Sequence, residues 1–513
     1  MTPRPKQTVV GTMPISLALS HEGTYTCLDW IEGSVSLDLP SDDSISSINV
    51  KLQGVSRTSI NPQTMNVAQS TSGYPYGGIQ GVGIMGAVRY PGSAMSAPGS
   101  RYGGTTVSET HKVLYLTNLV FPDTKLTTKT DSSGFKMSAG KYTYPFRMRI
   151  PVNMKCVGDT SVISSMFSSA YLGPRPHATG TLPPSLSGLD PNASVRYFVK
   201  VTVSRPGFLK RNMRAYRPLV FLPMEPPRPK PRQMTFYRRE HQFIDTLAPN
   251  ERKSGLAAFL GGSSRDTGPK APSLGLTLEA RLPTPAILVP LEPVPLFLFV
   301  TKMQGNYPLF LRSLKFHLHA MTFIKSQDFQ QVIPMSHVFF AKELLVPLLH
   351  TDNKENVVQI DPIHWSSAML PDTVAPSFET CNIKRVYQME VTVGISKAEH
   401  GAIELVHLLA QVAVFSGITA PPELLAANQR RQKTYRPPEE APPPSIDAPH
   451  SPPQKAPPPH SPPGTDAPGA LSLPTYDEAV ADTLQPTTGP RPNFRQAGEY
   501  FQGLDHFDGD RKD

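Results

Sequence analysis

At 513 residues, with 57 prolines and a net charge of +9, the chain has room for two or three domains and for a Pro-rich stretch that cannot build a compact unit. Its three cysteines, Cys27, Cys156 and Cys381, lie far apart and form no CxxC pair. That excludes a disulfide framework and the usual zinc spacing, and the simplest reading is reduced thiols acting as small core hydrophobes. The start, MTPRPKQTVVGTMP, has no apolar run of secretory length. The greasiest stretch, 286–300, is interrupted by Pro290, Glu292, Pro293 and Pro295 and is too short to span a bilayer. The expectation is a cytoplasmic protein that touches membranes only peripherally.

The chain opens on a short N-terminus, 1–14, and strands follow from residue 15. Val35, Leu37 and Leu39 alternate with Ser34, Ser36 and Asp38, and after a PSDDS turn Ile48, Val50 and Leu52 alternate in the same way. Two period-2 segments around turn chemistry predict a β-hairpin, punctuated by Gly33 and Gly54. Residues 61–106 are rich in Gly, Ser, Pro and Tyr and read as a long insertion between strands. They contain a GxGxxG string, Gly81 to Gly86, but AVRYPGS follows it and cannot open the helix that a nucleotide site needs. Strands resume at 112–119. In 141–151, Tyr142, Tyr144, Phe146, Met148 and Ile150 alternate with polar residues apart from Pro145, which confines that strand to an edge or a bulge. A stiff turn, Leu182-Pro183-Pro184-Ser185, precedes SVRYFVKVTV at 194–203, the strongest strand of this half.

The run SAGKYTYPFRMRIP at 138–151, then LPPSL and VRYFVKVTV, resembles the N-terminal domain of the arrestin superfamily in order and spacing over most of 15–222. The Gly-rich block at 61–106 departs from that pattern. Residues 223–273, rich in Pro, Arg and Ser, read as a basic linker with one short helix at 251–260. Strand patterns return over 274–420: Leu274, Leu276 and Leu278 alternate, as do Leu314, Phe316, Leu318 and Ala320, and VYQMEVTVGI at 386–395 follows. His317 and His319 fall on the polar side of their strand and lack further ligands, so they read as exposed sheet histidines. LP at 370–371 and PSFETCNIKRVYQMEVTV resemble the arrestin C-terminal sandwich. The resemblance implies an all-β protein: two arrestin-like immunoglobulin-type β-sandwiches in tandem with a disordered Pro-rich C-terminal tail, 421–513.

Within the tail, residues 437–468 hold 14 prolines and a repeated His-Ser-Pro-Pro, a composition that cannot bury enough apolar surface to fold. Just beyond lies Leu473-Pro474-Thr475-Tyr476, followed by Asp477 and Glu478. In polyproline II geometry Leu473 and Tyr476 share one side, the form that WW domains hold in aromatic-lined grooves. Ser451 and Ser461 each precede proline and are candidate phosphorylation sites. A further candidate is the basic run 205–239, where Arg205, Lys210, Arg211, Arg214, Arg217, Arg238 and Arg239 stand among ten basic residues against one acid, Glu225. Such a run suits an anionic partner or membrane surface rather than a wrapped nucleic acid.

The combination is similar to the fungal α-arrestins, the arrestin-related trafficking adaptors. That resemblance implies no enzyme and no cofactor. It implies recruitment of a HECT-type ubiquitin ligase through its WW domains, with Leu473, Pro474 and Tyr476 as the contact. The cargo would be a plasma-membrane transporter or receptor, and ubiquitin would be attached covalently to cargo and adaptor. Location would be cytoplasmic, with recruitment to plasma membrane and endosomes. The alternative is a non-ubiquitin arrestin-fold scaffold in vesicle sorting or signalling.

Overall fold

The computed structural model describes residues 14–62, 106–122, 134–158, 179–207, 210–231, 233–243, 274–304, 307–350, 356–425, 483–487 and 491–507. Nearly all regular structure in them is strand. The all-β expectation holds, with two tandem β-sandwiches of arrestin fold.

The first sandwich faces a three-stranded sheet against a six-stranded one. Ile15–Leu19, Trp30–Leu39 and Gly140–Arg149 form the small sheet. Pro145 sits in its edge strand, where no neighbour needs the missing N–H. The larger sheet centres on Ser47–Ile60 and Ala193–Ser204, flanked by Val107–Phe121 and Met213–Phe221. Val35 and Leu37 of one sheet and Val50 and Leu52 of the other are at most 1% exposed, so alternating apolar residues from both sheets meet in one core.

The hairpin expected over residues 34–52 does not form. Trp30–Leu39 and Ser47–Ile60 belong to opposite sheets and pair with other strands. The connection arches across the core, because both strands turn their apolar faces toward each other rather than sharing a sheet. Gly33 and Gly54 are not turn residues either. Each lies inside a strand opposite an aromatic residue, Gly33 against Phe146 and Gly54 against Tyr197.

The second sandwich begins earlier than composition suggests. Met234–Gln242, inside the expected linker, pairs along its whole length with Gly275–Pro283, and Phe297–Gln304 and Val357–Ile360 complete that sheet. Opposite it, Leu309–Ser326, Phe329–Leu349, Ile383–Ser396 and Glu404–Val414 form the second sheet. The short helix expected at 251–260, the GxGxxG string and most of the 61–106 insertion lie outside the described residues.

The two sandwiches touch through polar groups near one end. Ser56 Oγ donates to Asn382 Oδ1 at 2.7 Å, Thr58 Oγ1 to the Lys325 carbonyl at 2.5 Å, and Ser326 Oγ to the Val107 carbonyl at 2.9 Å. Ile324, Ala375 and Ile383 of the second sandwich join the core of the first.

Candidate functional site

Of the residues singled out from sequence, Leu473, Pro474, Tyr476, Ser451 and Ser461 lie outside the described residues. The basic run is within them, and the fold divides it. Arg205, Lys210, Arg211, Arg214 and Arg217 lie on or beside the edge of the first sandwich, whereas Arg238 and Arg239 lie on the second. Acids, most of them distant in sequence, answer several of these charges. Arg205 and Lys210 both meet Asp43, Arg217 meets Glu22, Arg228 meets Glu225, and Arg238 meets Glu279. The count of ten bases against one acid therefore overstates the field that the folded surface presents. Arg211 and Arg239 are exposed.

The best-built site among the described residues is one that sequence reading missed. Residues 483–487 and 491–507, at the end of the chain, lie as a strap along the first sandwich. Its first anchor is an ion pair. Arg491 grips Asp29 with both terminal nitrogens, Nη2 to Oδ1 at 2.6 Å, and also donates to the Thr487 carbonyl at 3.2 Å. Asp29 closes the turn that leads into Trp30–Leu39 and accepts the Thr26 N–H at 2.8 Å. Burial pushes the Asp29 carboxyl above its ordinary value, although the Thr26 N–H and the Arg491 guanidinium pull it down. Without the strap this carboxylate would lose its charged partner in a poorly solvated place, which is costly.

The next anchors are apolar. Phe494 is buried beside Thr24, whose Oγ1 accepts the Phe494 N–H at 3.2 Å. Arg495 meanwhile reaches the second sandwich and holds Asp372 with Nε and Nη2 at 2.7–2.9 Å. The strap thus contacts both sandwiches.

Tyr500 is the centre of the arrangement. Its side chain is fully buried, and its hydroxyl donates to the Leu219 carbonyl at 2.5 Å, accepts the Tyr197 N–H at 3.1 Å and lies 2.7 Å from Ser185 Oγ. Ser185 comes from the Leu-Pro-Pro-Ser turn and also accepts the Phe221 N–H at 2.9 Å. Burial raises the Tyr500 phenol to about 12, so it stays a neutral donor at any physiological pH. Around it Gly188 N–H donates to Glu499 at 2.8 Å and Arg196 Nη1 to the Gln502 carbonyl at 2.8 Å. Leu504 closes the strap against Val55 and Phe198. This explains part of the burial of Ala193–Ser204 on both faces: its inner side chains fill the core, while Arg196 and Phe198, on its outer face, lie against the strap.

Along the seam a crevice of about 710 Å³ opens between His21, Glu22, Asp29 and Trp30 on one side and Pro486 and Arg491 on the other. One signal in the sequence marks the strap. After the Pro-rich run, NFRQAGEYFQGLDHF brings Phe494, Tyr500, Phe501 and Leu504 together, and aromatic residues at that density are scarce in segments that stay unfolded.

Together the fold and the seam define a tandem β-sandwich protein that holds its own C-terminal segment against the first sandwich. The family described as arrestin (or S-antigen), N-terminal domain, matches residues 14–221, which is the span of the first sandwich. Residues 14–221 thus carry an arrestin N-terminal domain, which supports an arrestin fold and, in general terms, an arrestin-type adaptor or scaffold. A search among curated proteins found no match.

Proposed function

We propose that this protein recruits a HECT-type, WW-domain ubiquitin ligase to plasma-membrane transporters or receptors, promoting their ubiquitination and endocytosis. The observation that carries this reading is Leu473-Pro474-Thr475-Tyr476, a WW-binding pattern on a chain that also carries an arrestin fold. Leu424 and Leu484, on either side of the motif in sequence, both pack on the core of the first sandwich, so the motif is tethered to the sandwiches from both sides. That arrangement suits an adaptor, because the ligase is then held near whatever the sandwiches bind, at an effective concentration set by the length of the segment. On this reading the protein works in the cytoplasm and is recruited to the plasma membrane and endosomes.

In a WW groove the proline packs between aromatic rings and the tyrosine fills a second pocket. Losing such an anchor costs about 2 kcal/mol or more, roughly thirtyfold in affinity. Tyr476→Ala is therefore expected to abolish capture of the ligase and ubiquitination of the adaptor, and to leave cargo at the cell surface. Affinity capture with wild-type and Tyr476→Ala baits, compared by mass spectrometry, tests it. Unchanged ligase capture by the variant would favour a non-ubiquitin scaffold in sorting or signalling instead.

A further inference from the structure

The fold gathers two of the three cysteines that looked isolated in sequence. His111 stands on Val107–Phe121 and Cys156 follows Asn153–Lys155, both in the first sandwich. Cys381 lies in the turn before Ile383–Ser396 of the second. His111 Nδ1 is 3.3 Å from Cys156 Sγ, the two Sγ atoms are 3.5 Å apart, and all three ligand atoms lie within 4.8 Å of one another. We propose that His111, Cys156 and Cys381 bind a zinc ion that pins the two sandwiches together.

The spacing fits the ion. Zn–S bonds of about 2.3 Å and Zn–N bonds of about 2.0 Å in a tetrahedron put sulfur atoms about 3.8 Å apart and nitrogen about 3.5 Å from sulfur. The observed 3.5 and 3.3 Å need to open by a few tenths of an ångström, while the third pair, His111 Nδ1 and Cys381 Sγ, lies within 4.8 Å and closes toward about 3.5 Å as the ion binds. Two thiols and an imidazole are ligands that suit zinc. Each thiol gives up its proton to solvent as its Zn–S bond forms, so binding releases two protons and neither oxidises nor reduces anything.

The surroundings of His111 favour a metal over a simple thiol contact. Its Nε2–H donates to Glu109 Oε1 at 2.6 Å, which fixes the tautomer that leaves the lone pair on Nδ1, the nitrogen facing Cys156. Glu109 is itself held by the Gln327 N–H. This is the carboxylate–histidine arrangement that orients imidazole ligands in zinc sites. A Cys156–Cys381 disulfide would have no use for it, and the two sulfurs would have to close to about 2.05 Å. Cys156 and Cys381 are half-buried while His111 is buried, so the ion enters from the sulfur side. A cleft of about 300 Å³ borders Cys381, and a fourth ligand from solvent would complete the tetrahedron.

The test uses the reduced full-length chain, with Zn²⁺ and Co²⁺ as the probes. Gel-filtered protein is expected to carry about one zinc per chain, and cobalt to give thiolate-to-metal charge-transfer absorption. Cys156→Ser and Cys381→Ser should lose both signals, whereas Cys27→Ser, whose sulfur sits in the core of the first sandwich, should keep them. Glu109→Gln, which leaves the three ligands in place, should weaken zinc by about 10–100-fold. Circular dichroism confirms that each variant is folded. A chain that binds no cobalt, or binds it equally well after Cys381→Ser, overturns the site. So does a Cys156–Cys381 disulfide that forms equally fast with and without zinc.

Discussion

Tyr500 shows how much one hydroxyl can do when it reaches the middle of a sandwich. Its contacts with Leu219, Tyr197 and Ser185 satisfy groups that have no access to water once the strap is down. Tyr500→Phe keeps the ring and removes the oxygen, so the Leu219 carbonyl and the Tyr197 N–H lose a buried partner, at a cost of about 1–3 kcal/mol. Hydrogen exchange should show faster opening of residues 491–507 in the variant while the second sandwich is unaffected. Equal protection in both proteins would mean that the apolar anchors alone hold the strap. A second polar cluster lies on the second sandwich. Glu390 accepts from His319 Nε2 and His407 Nδ1, each at 2.7 Å, across three neighbouring strands. His317 and His319, expected to be exposed, do lie on that polar face with stacked rings, but both are half-buried and His319 is bonded to Glu390. Burial would raise the Glu390 carboxyl, but the hydrogen bonds from His319 and His407 outweigh it and hold the group below its ordinary value. Because folding lowers this pKa, the unfolded chain binds the proton more tightly. The stabilisation is therefore complete above the ordinary carboxylate value of about 4.3 and fades as pH falls through the lower folded value. Glu390→Gln should cost up to about 1 kcal/mol at neutral pH, and that gap should shrink at about pH 3.5. Urea unfolding of both proteins at the two pH values measures it, and an equal gap at both would separate the cluster's effect from Glu390 ionisation.

Many of the strands were legible because they follow period-2 alternation, but Met213–Phe221, Met234–Gln242 and Phe329–Leu349 were not singled out, and the partners of the legible ones were not readable. Val35, Leu37, Val50 and Leu52 alternate identically whether they share a sheet or face each other across the core, and only the arch between them decides. The same local silence hid the pairing of Met234–Gln242, whose Arg238, Arg239 and Glu240 look like linker until Gly275–Pro283 is placed alongside. Glycine carries the clearest case. A Cβ on Gly54 would lie 2.4 Å from Tyr197 Cε1 and 3.0 Å from Leu114 Cβ. The Tyr197 ring cannot yield easily, since its hydroxyl donates to the Pro183 carbonyl at 2.6 Å and the ring packs on Phe221. Gly54→Ala is therefore an overpacking substitution in the middle of the first core, and should cost about 1–3 kcal/mol. Thermal unfolding should show a lower midpoint for the first sandwich. Wild-type stability would mean that the ring swings aside and that the glycine serves no packing purpose.

At the scale of the whole molecule, residues 421–513 were expected to form a disordered tail. The strap contradicts this for its last portion. Phe494, Tyr500 and Leu504 are each buried, and burial of such side chains is worth about 1.5–3 kcal/mol apiece. The Arg491 pair with Asp29 and the Arg495 pair with Asp372 add direction. Most of that gain is offset when a separate peptide binds, because it must give up translational and conformational freedom. The intact chain avoids much of this loss, since its linker holds the strap at an effective concentration of roughly millimolar order. Cutting the linker should therefore convert a permanent contact into a concentration-dependent one. Limited trypsin cleavage after Lys433 or Lys455 is expected to leave the C-terminal fragment bound to the sandwiches at high protein concentration and to release it on dilution. Arg495, tied to Asp372 and beside buried Phe494, should resist cleavage while the fragment is bound. Native mass spectrometry and gel filtration of the nicked protein read the outcome directly. Tyr500→Phe should shift release to higher protein concentration, by about fivefold or more for a loss of about 1–3 kcal/mol. A fragment that separates at once at every concentration would show that the strap rests on the sandwich without holding to it.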